Sequence, residues 1–143
     1  MLYNIPKCTG TALEPSTLIK AARHEHIVAV KDATGDIDTA ARVLNDTDLA
    51  YYSGEDALNL PCLSVGFSGF VSVVGHFAAH LLREMLESFT TGNVTRALAI
   101  HRLLLPIYTG AFRAPAAASV KAGLSIIGMS CGKVRLSLTA LTA

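Results

Sequence analysis

The sequence has no tryptophan, few aromatic residues and only three cysteines, which lie far apart. Cys8, Cys62 and Cys131 form no C-x-x-C pair, so the sequence predicts neither a disulfide framework nor a zinc ribbon. The first ten residues contain no basic stretch followed by an apolar one, which argues against a signal peptide. Unpaired thiols are typical of a reducing compartment, so we expect a cytoplasmic protein.

An excess of charge of either sign is also missing. The formal net charge is +1 at pH 7, which gives no electrostatic basis for binding nucleic acid. Residues 57 to 82 contain no Asp, Glu, Lys or Arg, and a run of that length raises the question of a membrane span. Pro61 and several glycines interrupt the run, which favours elements joined by turns. We therefore expect neither a nucleic-acid nor a membrane partner.

What the sequence does contain is an alternation of short apolar runs and amphipathic stretches. The apolar runs at 2–5, 27–30, 49–53 and 70–74 predict strands, and most are followed by a stretch of helical period. Four strand–helix units indicate a parallel sheet with right-handed crossovers. From Asn93 onward the pattern is helical only. Such units fit either a doubly wound sheet or half of an eight-stranded barrel, and in both the function gathers where the strands end.

Lys31 stands at one of these strand ends, directly after the apolar run 27–30. Burial disfavours the charged form of an amine, and a neutral amine can attack a ketone to form an imine. The alternative is that Lys31 reaches solvent or pairs with Asp32. Tyr3, at the end of the neighbouring predicted strand, is a candidate proton relay, although a tyrosine in this position is more often a packing residue.

Six separate segments extend this pair of residues into a longer pattern. They are Tyr3–Pro6, Thr9–Gly10, Ile27–Ala33, Ser53–Ala57, Gly69–Val73 and Val120–Leu124. In order and spacing they resemble the dihydrodipicolinate synthase and N-acetylneuraminate lyase family. The resemblance implies the C-terminal half of a (β/α)8 TIM barrel, strands five to eight, at residues 1–91. A helical C-terminal region, truncated relative to the family, would follow at residues 92–143.

The resemblance also implies a role for four residues. Lys31 matches the Schiff-base lysine that captures pyruvate, and Tyr3 matches the proton-relaying tyrosine. Gly54 and Val71 match positions whose backbone lies near the bound keto acid. The implied activity is that of a lyase which condenses pyruvate with aspartate semialdehyde in lysine and diaminopimelate biosynthesis. No cofactor is implied beyond the covalent imine of pyruvate on Lys31, and the partners would be a small keto acid and an aldehyde.

The sequence departs from the family pattern in ways that keep other functions open. The first half of the barrel is absent, and with it the Thr-Thr-Gly segment that holds the pyruvate carboxylate and the second tyrosine of the relay. Cys8 stands where the synthases usually carry an arginine, and a thiol cannot replace a bidentate guanidinium. A synthase impaired as a lone half barrel, another pyruvate-dependent aldolase of the family, and a non-catalytic remnant or interaction module all remain possible readings.

Two further expectations concern association and metals. A half barrel would present two unpaired sheet edges and an uncovered apolar face, so we expect a homo-oligomer or pairing with a complementary half barrel. His76 and His80 lie four residues apart on a predicted helix. No glutamate follows the first histidine and no third ligand is evident, so no metal site is predicted.

Overall fold

A four-stranded parallel sheet organises the first part of the chain. The computed structural model describes residues 1–129 and 131–141, and the chain forms two units, Met1–Ser72 and Val73–Ala143. The strands are β1 (Leu2–Asn4), β2 (Ala29–Asp32), β3 (Ala50–Ser53) and β4 (Gly69–Phe70). The helices are α1 (Pro6–Thr9), α2 (Pro15–Ala21), α3 (Ile37–Asp46), α4 (Asn59–Leu63), α5 (Gly75–Thr90), α6 (Val94–Ala111) and α7 (Ala116–Ile126), with a 3-10 turn at Asp56–Leu58.

The sheet order follows the chain order, β1-β2-β3-β4, and every neighbouring pair is parallel. Helical segments connect the strands, as parallel pairing requires. The four strand–helix units predicted from the alternation of apolar and amphipathic segments are therefore confirmed. The boundary predicted after residue 91 between the barrel and the helical region stays a prediction.

Two of the predicted strands differ from the structure by more than one residue at an end. β2 begins at Ala29 and ends at Asp32, so Lys31 lies inside the strand and not just beyond it. The reason is pairing, because β1 and β3 continue to Asn4 and Ser53 and extend the hydrogen-bonded ladder past Lys31. β4 is only Gly69–Phe70, so the prediction of a strand to residue 74 is wrong.

The early end of β4 coincides with a side-chain hydrogen bond. The hydroxyl of Ser72 donates a hydrogen bond to the carboxylate of Asp56, and the chain leaves the ladder there. Val74 is fully buried and is already the N-cap residue of α5. The apolar run 70–74 therefore contains both the end of β4, at Phe70, and the N-cap residue of α5, Val74.

The core of the first unit lies between the sheet and α2, α3 and α4. The side chains that form it are Leu18, Val30, Ala40, Val43, Leu49, Tyr51, Cys62 and Phe67. Because side chains alternate between the two faces of a strand, Val30 and Tyr51 enter this core while Lys31 and Tyr52 project to the other face. Burial of the thiol raises the pKa of Cys62 to about 11, so this cysteine is a neutral packing residue.

Side chains cap the N-termini of two helices. The side chain of Asp36 accepts the N–H of Thr39 at the start of α3, and that of Asn93 accepts the N–H of Arg96 at the start of α6. The hydrogen bonds from the Thr39 backbone and hydroxyl hold the pKa of Asp36 below its ordinary value. Local side-chain chemistry thus fixes where these helices begin.

The second unit is helical, with α5, α6 and α7 in mutual contact. Glu84 on α5 and Arg96 on α6 form an ion pair of 2.6 Å. A Cβ atom on Gly123 of α7 would lie 2.5 Å from the ring of Phe77 on α5, so only glycine permits this close approach. Within residues 1–129 and 131–141, no helix has the length and apolar character needed to span a membrane.

Tyr51 offers a test of how the core tolerates a polar atom. Its side chain is fully buried against Phe67, and within the fully described first unit its hydroxyl has no hydrogen-bond partner. Burial, followed by the charge of Asp32, raises the pKa of this phenol, so it stays protonated. An unsatisfied buried hydroxyl costs roughly 1–3 kcal/mol, so we expect Tyr51→Phe to raise the free energy of unfolding by about 1 kcal/mol.

Urea denaturation of the wild type and of Tyr51→Phe measures this difference in the free energy of unfolding. Tyr51→Leu serves as the control, because it also removes the hydroxyl but loses the ring that packs on Phe67, and it should destabilise the fold. A Tyr51→Phe variant that is less stable than the wild type would show that the hydroxyl makes a stabilising hydrogen bond.

Candidate active site

The candidate site is a row of side chains that runs across three adjacent strands. In the ladder Tyr3 pairs with Lys31, and Lys31 pairs with Tyr52. Residues paired directly in neighbouring strands project to the same face, so the lysine lies between two tyrosines. Lys31 and Tyr52 are half-buried and Tyr3 is 45% exposed. The row is thus on the face of the sheet opposite the core of the first unit.

Tyr3 contacts the lysine directly. The Nζ atom of Lys31 lies 3.9 Å from the centroid of the Tyr3 ring. A cation over an aromatic face is stabilised by the ring quadrupole, worth ~0.5–1 kcal/mol at a site that water can reach. The structure therefore brings together the two residues that the sequence singled out for imine chemistry and proton relay, and the ring limits where the lysine side chain can go.

Gly54 lies close to the side chain of Lys31. A Cβ atom at this position would lie 2.9 Å from Cε of Lys31, 3.0 Å from Cβ of Ala33 and 3.2 Å from the carbonyl oxygen of Asp32. The N–H of Gly54 donates to that same carbonyl oxygen at 2.7 Å. The glycine is required here because the backbone after β3 approaches the lysine stem more closely than any side chain would allow.

Val71 lies one strand further from the lysine. Its N–H donates to the carbonyl oxygen of Ser53 at 2.8 Å, which extends the β3–β4 ladder by one bond, and its side chain is 40% exposed. Val71 is thus joined to the backbone next to Gly54. Of the four predicted site residues, Tyr3, Lys31 and Gly54 are in contact through Lys31, and Val71 is placed beside Gly54 through Ser53.

The pairing of Lys31 with Asp32, considered from the sequence, is not what the structure contains. The Asp32 carboxylate accepts hydrogen bonds from the N–H and the hydroxyl of Thr34, at 2.8 Å and 2.7 Å. As the next residue of β2, Asp32 projects to the opposite face of the sheet from Lys31. Its carboxylate holds the turn into α3 and leaves the lysine amine to the face that carries the tyrosines.

Two loops flank the end of β2 and are joined by an ion pair. Lys7 on α1 places its Nζ atom 3.1 Å from Oε2 of Glu55, which follows Gly54 in the chain. The hydroxyl of Ser53 donates to the carbonyl oxygen of Glu55 at 3.0 Å and accepts the N–H of the same residue at 3.3 Å. Cys8, beside Lys7 on α1, is exposed as a free thiol. We refer to these two segments, which follow β1 and β3 on either side of β2, as the mouth of the site.

Sequence reasoning missed Tyr52 and the Lys7–Glu55 pair. Tyr52 lies two residues before Gly54 in the chain. Because side chains alternate along a strand, this spacing predicts that Tyr52 projects to the same face of the sheet as Lys31. The ion pair had no such signal, since its partners are 48 residues apart in the chain.

Of the two histidines set aside from the sequence, His76 contacts the backbone. His76 lies at the start of α5, where its Nδ1 atom is 2.8 Å from the carbonyl oxygen of Val73. Among the residues that the structure describes, no group of three or more His, Cys, Asp or Glu side chains is arranged to hold a metal ion.

Comparison with known proteins gives a consistent result. A sequence model of the Dihydrodipicolinate synthetase family matches residues 1–143. The 4-hydroxy-tetrahydrodipicolinate synthase of Acidothermus cellulolyticus is 48% identical over 143 residues, which is all of this chain and 46% of that protein. The synthase of Bacillus subtilis is 43% identical over 145 residues, or 99% of this chain and 50% of that one.

Solved structures agree with the sequence relatives. The dihydrodipicolinate synthase of Cyanidioschyzon merolae, solved with lysine bound, has a TM-score of 0.96 and 41% identity, covering 100% of this chain and 49% of that one. The synthase of Bacillus anthracis has a TM-score of 0.95 and 38% identity, covering 99% and 49%. The chain spans about half the length of the curated relatives it matches.

The fold is that of half a barrel. Four parallel strands and their helices, matched over about half of each related structure, are half of a (β/α)8 barrel, strands five to eight, with the helical region that follows. In this class the functional groups lie at the carboxyl ends of the strands, where Lys31 and Gly54 stand. The chain belongs to the dihydrodipicolinate synthase family.

Proposed function

We propose that the chain carries the imine-forming half of a dihydrodipicolinate-synthase-type lyase. The observation that supports this most strongly is the lysine of β2, with its Nζ atom 3.9 Å from the Tyr3 ring and its stem against Gly54. These contacts restrict the amine to one region at the end of the strand. A restricted primary amine beside a phenol is the arrangement that imine chemistry needs.

The proposed reaction begins on Lys31. Its neutral amine attacks the ketone carbon of pyruvate, water leaves, and an imine forms with the protein as the only covalent partner and no separate cofactor. Loss of a proton from the methyl group gives an enamine, whose carbon attacks the aldehyde of aspartate semialdehyde. Hydrolysis of the resulting imine frees the product and returns the lysine. In the cell this would be the condensation that commits aspartate semialdehyde to lysine and diaminopimelate synthesis, a cytoplasmic step.

The other predicted residues take supporting roles in this proposal. The Tyr3 hydroxyl passes protons to and from the attacked oxygen and the water that leaves. The backbone at Gly54 and Val71 borders the place of the keto acid. Neither residue needs a charged side chain for this task.

The partner needed to complete the site is a second half barrel. β1 and β4 are the outer strands of the four-stranded sheet and each pairs on one side only within the first unit. In a closed barrel each would gain a neighbour, and the face that carries Tyr3 and Lys31 would become the interior. We propose that the complementary half is supplied either by another segment or by a second copy of this chain.

A second function is favoured by one specific observation. Cys8 is exposed on α1 at the mouth and offers no positive charge to a substrate carboxylate. Another pyruvate-dependent aldolase, acting on an aldehyde without a second carboxylate, would need no such charge. The reactions share the same imine, so they differ only in the aldehyde that is consumed.

Exchange of the pyruvate methyl hydrogens in D₂O tests the shared chemistry, because exchange requires both the imine and a proton transfer. We expect the wild type to catalyse exchange and Tyr3→Phe to slow it by roughly 10²- to 10⁴-fold, the usual contribution of a positioned acid–base group. Phenylalanine keeps the ring under the lysine and removes only the hydroxyl. Proton NMR of the methyl signal gives the rate.

A Tyr3→Phe variant that exchanges at the wild-type rate would limit Tyr3 to packing. A folded wild type that catalyses no exchange would contradict the lyase proposal and favour the non-catalytic module. If exchange occurs, product formation with aspartate semialdehyde against butanal separates the synthase from the other aldolase.

A further inference from the structure

We propose that Lys7 receives the carboxylate of the aldehyde substrate and so takes over the charge that Cys8 cannot supply. This inference rests on the proposed function, since it assigns a residue to the second substrate of the same site. Its support is the position, the exposure and the ion-pair partner of the Lys7 ammonium group.

The position of Lys7 follows from the strand order. Lys7 lies on α1, the helix that follows β1, and Glu55 lies two residues after the end of β3. β2, the strand that carries Lys31, lies between β1 and β3 in the sheet. The 3.1 Å contact between Lys7 Nζ and Glu55 Oε2 therefore joins the two loops on either side of the lysine strand.

Exposure leaves the cation open to a ligand. The Lys7 side chain is 70% exposed, whereas that of Glu55 is 31% exposed. The Ser53 hydroxyl bonds the backbone carbonyl oxygen and N–H of Glu55, which holds the backbone from which the Glu55 carboxylate reaches the lysine. An ammonium group has three N–H donors, and the Glu55 contact uses one, so further donors can meet a second carboxylate.

No other cation in the first unit, which is described throughout, has the same placement. Lys20 lies on α2, Arg23 just after it, and Arg42 on α3, where it pairs with Asp38. At the carboxyl ends of the strands the positive groups are Lys7 and Lys31. If Lys31 is used as the nucleophile, Lys7 is the remaining charge for recognising an anion.

The carboxylate in question belongs to the aldehyde and not to pyruvate. The pyruvate carboxylate is bonded to the imine carbon and must lie next to the Lys31 nitrogen. Lys7 is held instead at Glu55, outside the row of Tyr3 and Lys31. An aldehyde whose carboxylate is separated from its reacting carbon by a short chain can place the carbon at the enamine and the carboxylate at Lys7.

Alkylation of Cys8 tests carboxylate recognition without any turnover. Its thiolate displaces iodide from iodoacetate or iodoacetamide, forming a carbon–sulfur bond as the carbon–iodine bond breaks, and only the first reagent carries a carboxylate. We expect Lys7→Met to lower the iodoacetate-to-iodoacetamide rate ratio at Cys8 by about threefold to fivefold, as for an exposed charge pair. The ratio cancels any change in the thiol itself.

The chain supplies its own references for this experiment. Cys131 is also exposed, so its ratio should not respond to Lys7→Met. Lys20→Met, the same change at an exposed lysine on α2, should leave the Cys8 ratio unaltered. Salt at 1 M concentration, where screening acts over roughly 3 Å, should reduce the wild-type ratio toward that of Lys7→Met. A Cys8 ratio that Lys7→Met does not change overturns the proposal.

Turnover then assigns the carboxylate to one substrate. Wild type should prefer 4-oxobutanoate over butanal, which has the same carbon chain without the carboxylate, and Lys7→Met should lower that preference by about threefold to fivefold. Lys7→Arg should retain it. If Lys7→Met instead raises the pyruvate concentration needed for half-maximal exchange, the carboxylate is that of pyruvate and the assignment is wrong.

The two levels of the proposal fail in distinguishable ways. A wild type without methyl exchange but with a Cys8 ratio that depends on Lys7 rejects the lyase and supports Lys7 as a carboxylate receptor. A wild type with exchange but an unchanged Cys8 ratio keeps the lyase and rejects the role of Lys7.

Discussion

Replacing Lys31 with methionine is expected to remove the carbonyl chemistry of this chain, lowering the rate of pyruvate methyl exchange by at least roughly a thousandfold. Methionine keeps an unbranched side chain of similar length, so contacts with the Tyr3 ring and Gly54 are retained, but it cannot form an imine. The rate is measured by proton NMR in D₂O. The loss is expected without unfolding, because Lys31 lies on the face of the sheet opposite the core of the first unit.

Two variants separate nucleophilicity from charge and from general effects of substitution. Lys31→Arg keeps a positive charge at the Tyr3 ring yet should be as inactive as Lys31→Met, because a guanidinium group does not form the imine. Lys20→Met makes the same exchange on the exposed surface of α2 and should be fully active. Activity that survives in Lys31→Met would move the covalent step to another group.

A methyl group added at Gly54 is expected to produce the second large effect. The new Cβ in Gly54→Ala would lie 2.9 Å from Cε of Lys31, which is too close, so the lysine stem must move. A misplacement of about 1 Å at a reacting group costs on the order of a hundredfold in rate, and we expect a loss of that size in methyl exchange. The same assay applies.

The fold should tolerate this substitution. The atom that meets the new methyl group most closely is near the end of a flexible side chain, while Cβ of Ala33 and the carbonyl oxygen of Asp32, at 3.0 Å and 3.2 Å, need shift only slightly. Overpacking of this kind costs roughly 1–3 kcal/mol. Gly110→Ala is the matched control, because a Cβ there meets no atom within 4 Å. Full activity in Gly54→Ala would show that the lysine position is not critical.

Much of the fold could be predicted because its signals are local. Apolar runs bounded by turn residues indicated four parallel strands, and Asp36 and Asn93 are residue types that favour the start of a helix. The limits of β2 and β4 were not predictable in this way. They depend on how far β1 and β3 extend and on the bond between Ser72 and Asp56, which come from different parts of the chain.

The residues of the candidate site also differ in whether the sequence alone could predict them. Lys31, Tyr3, Gly54 and Val71 were singled out from the sequence, and the structure adds the physical reasons that place the first three together. Tyr52 required the strand register, and the pairing of Lys7 with Glu55 required the sheet order. Contacts that form only when distant segments pair leave no pattern in a single segment of sequence.

Treatment of the purified chain with pyruvate and sodium borohydride, followed by peptide mass spectrometry, would show whether Lys31 forms an imine. Borohydride reduces an imine to a stable amine, so the adduct records which nitrogen held the pyruvate. We expect a reduced pyruvate adduct on the peptide that contains Lys31, absent when pyruvate or borohydride is omitted. A folded chain with no adduct, or with the adduct on Lys7 or another lysine in place of Lys31, would contradict it.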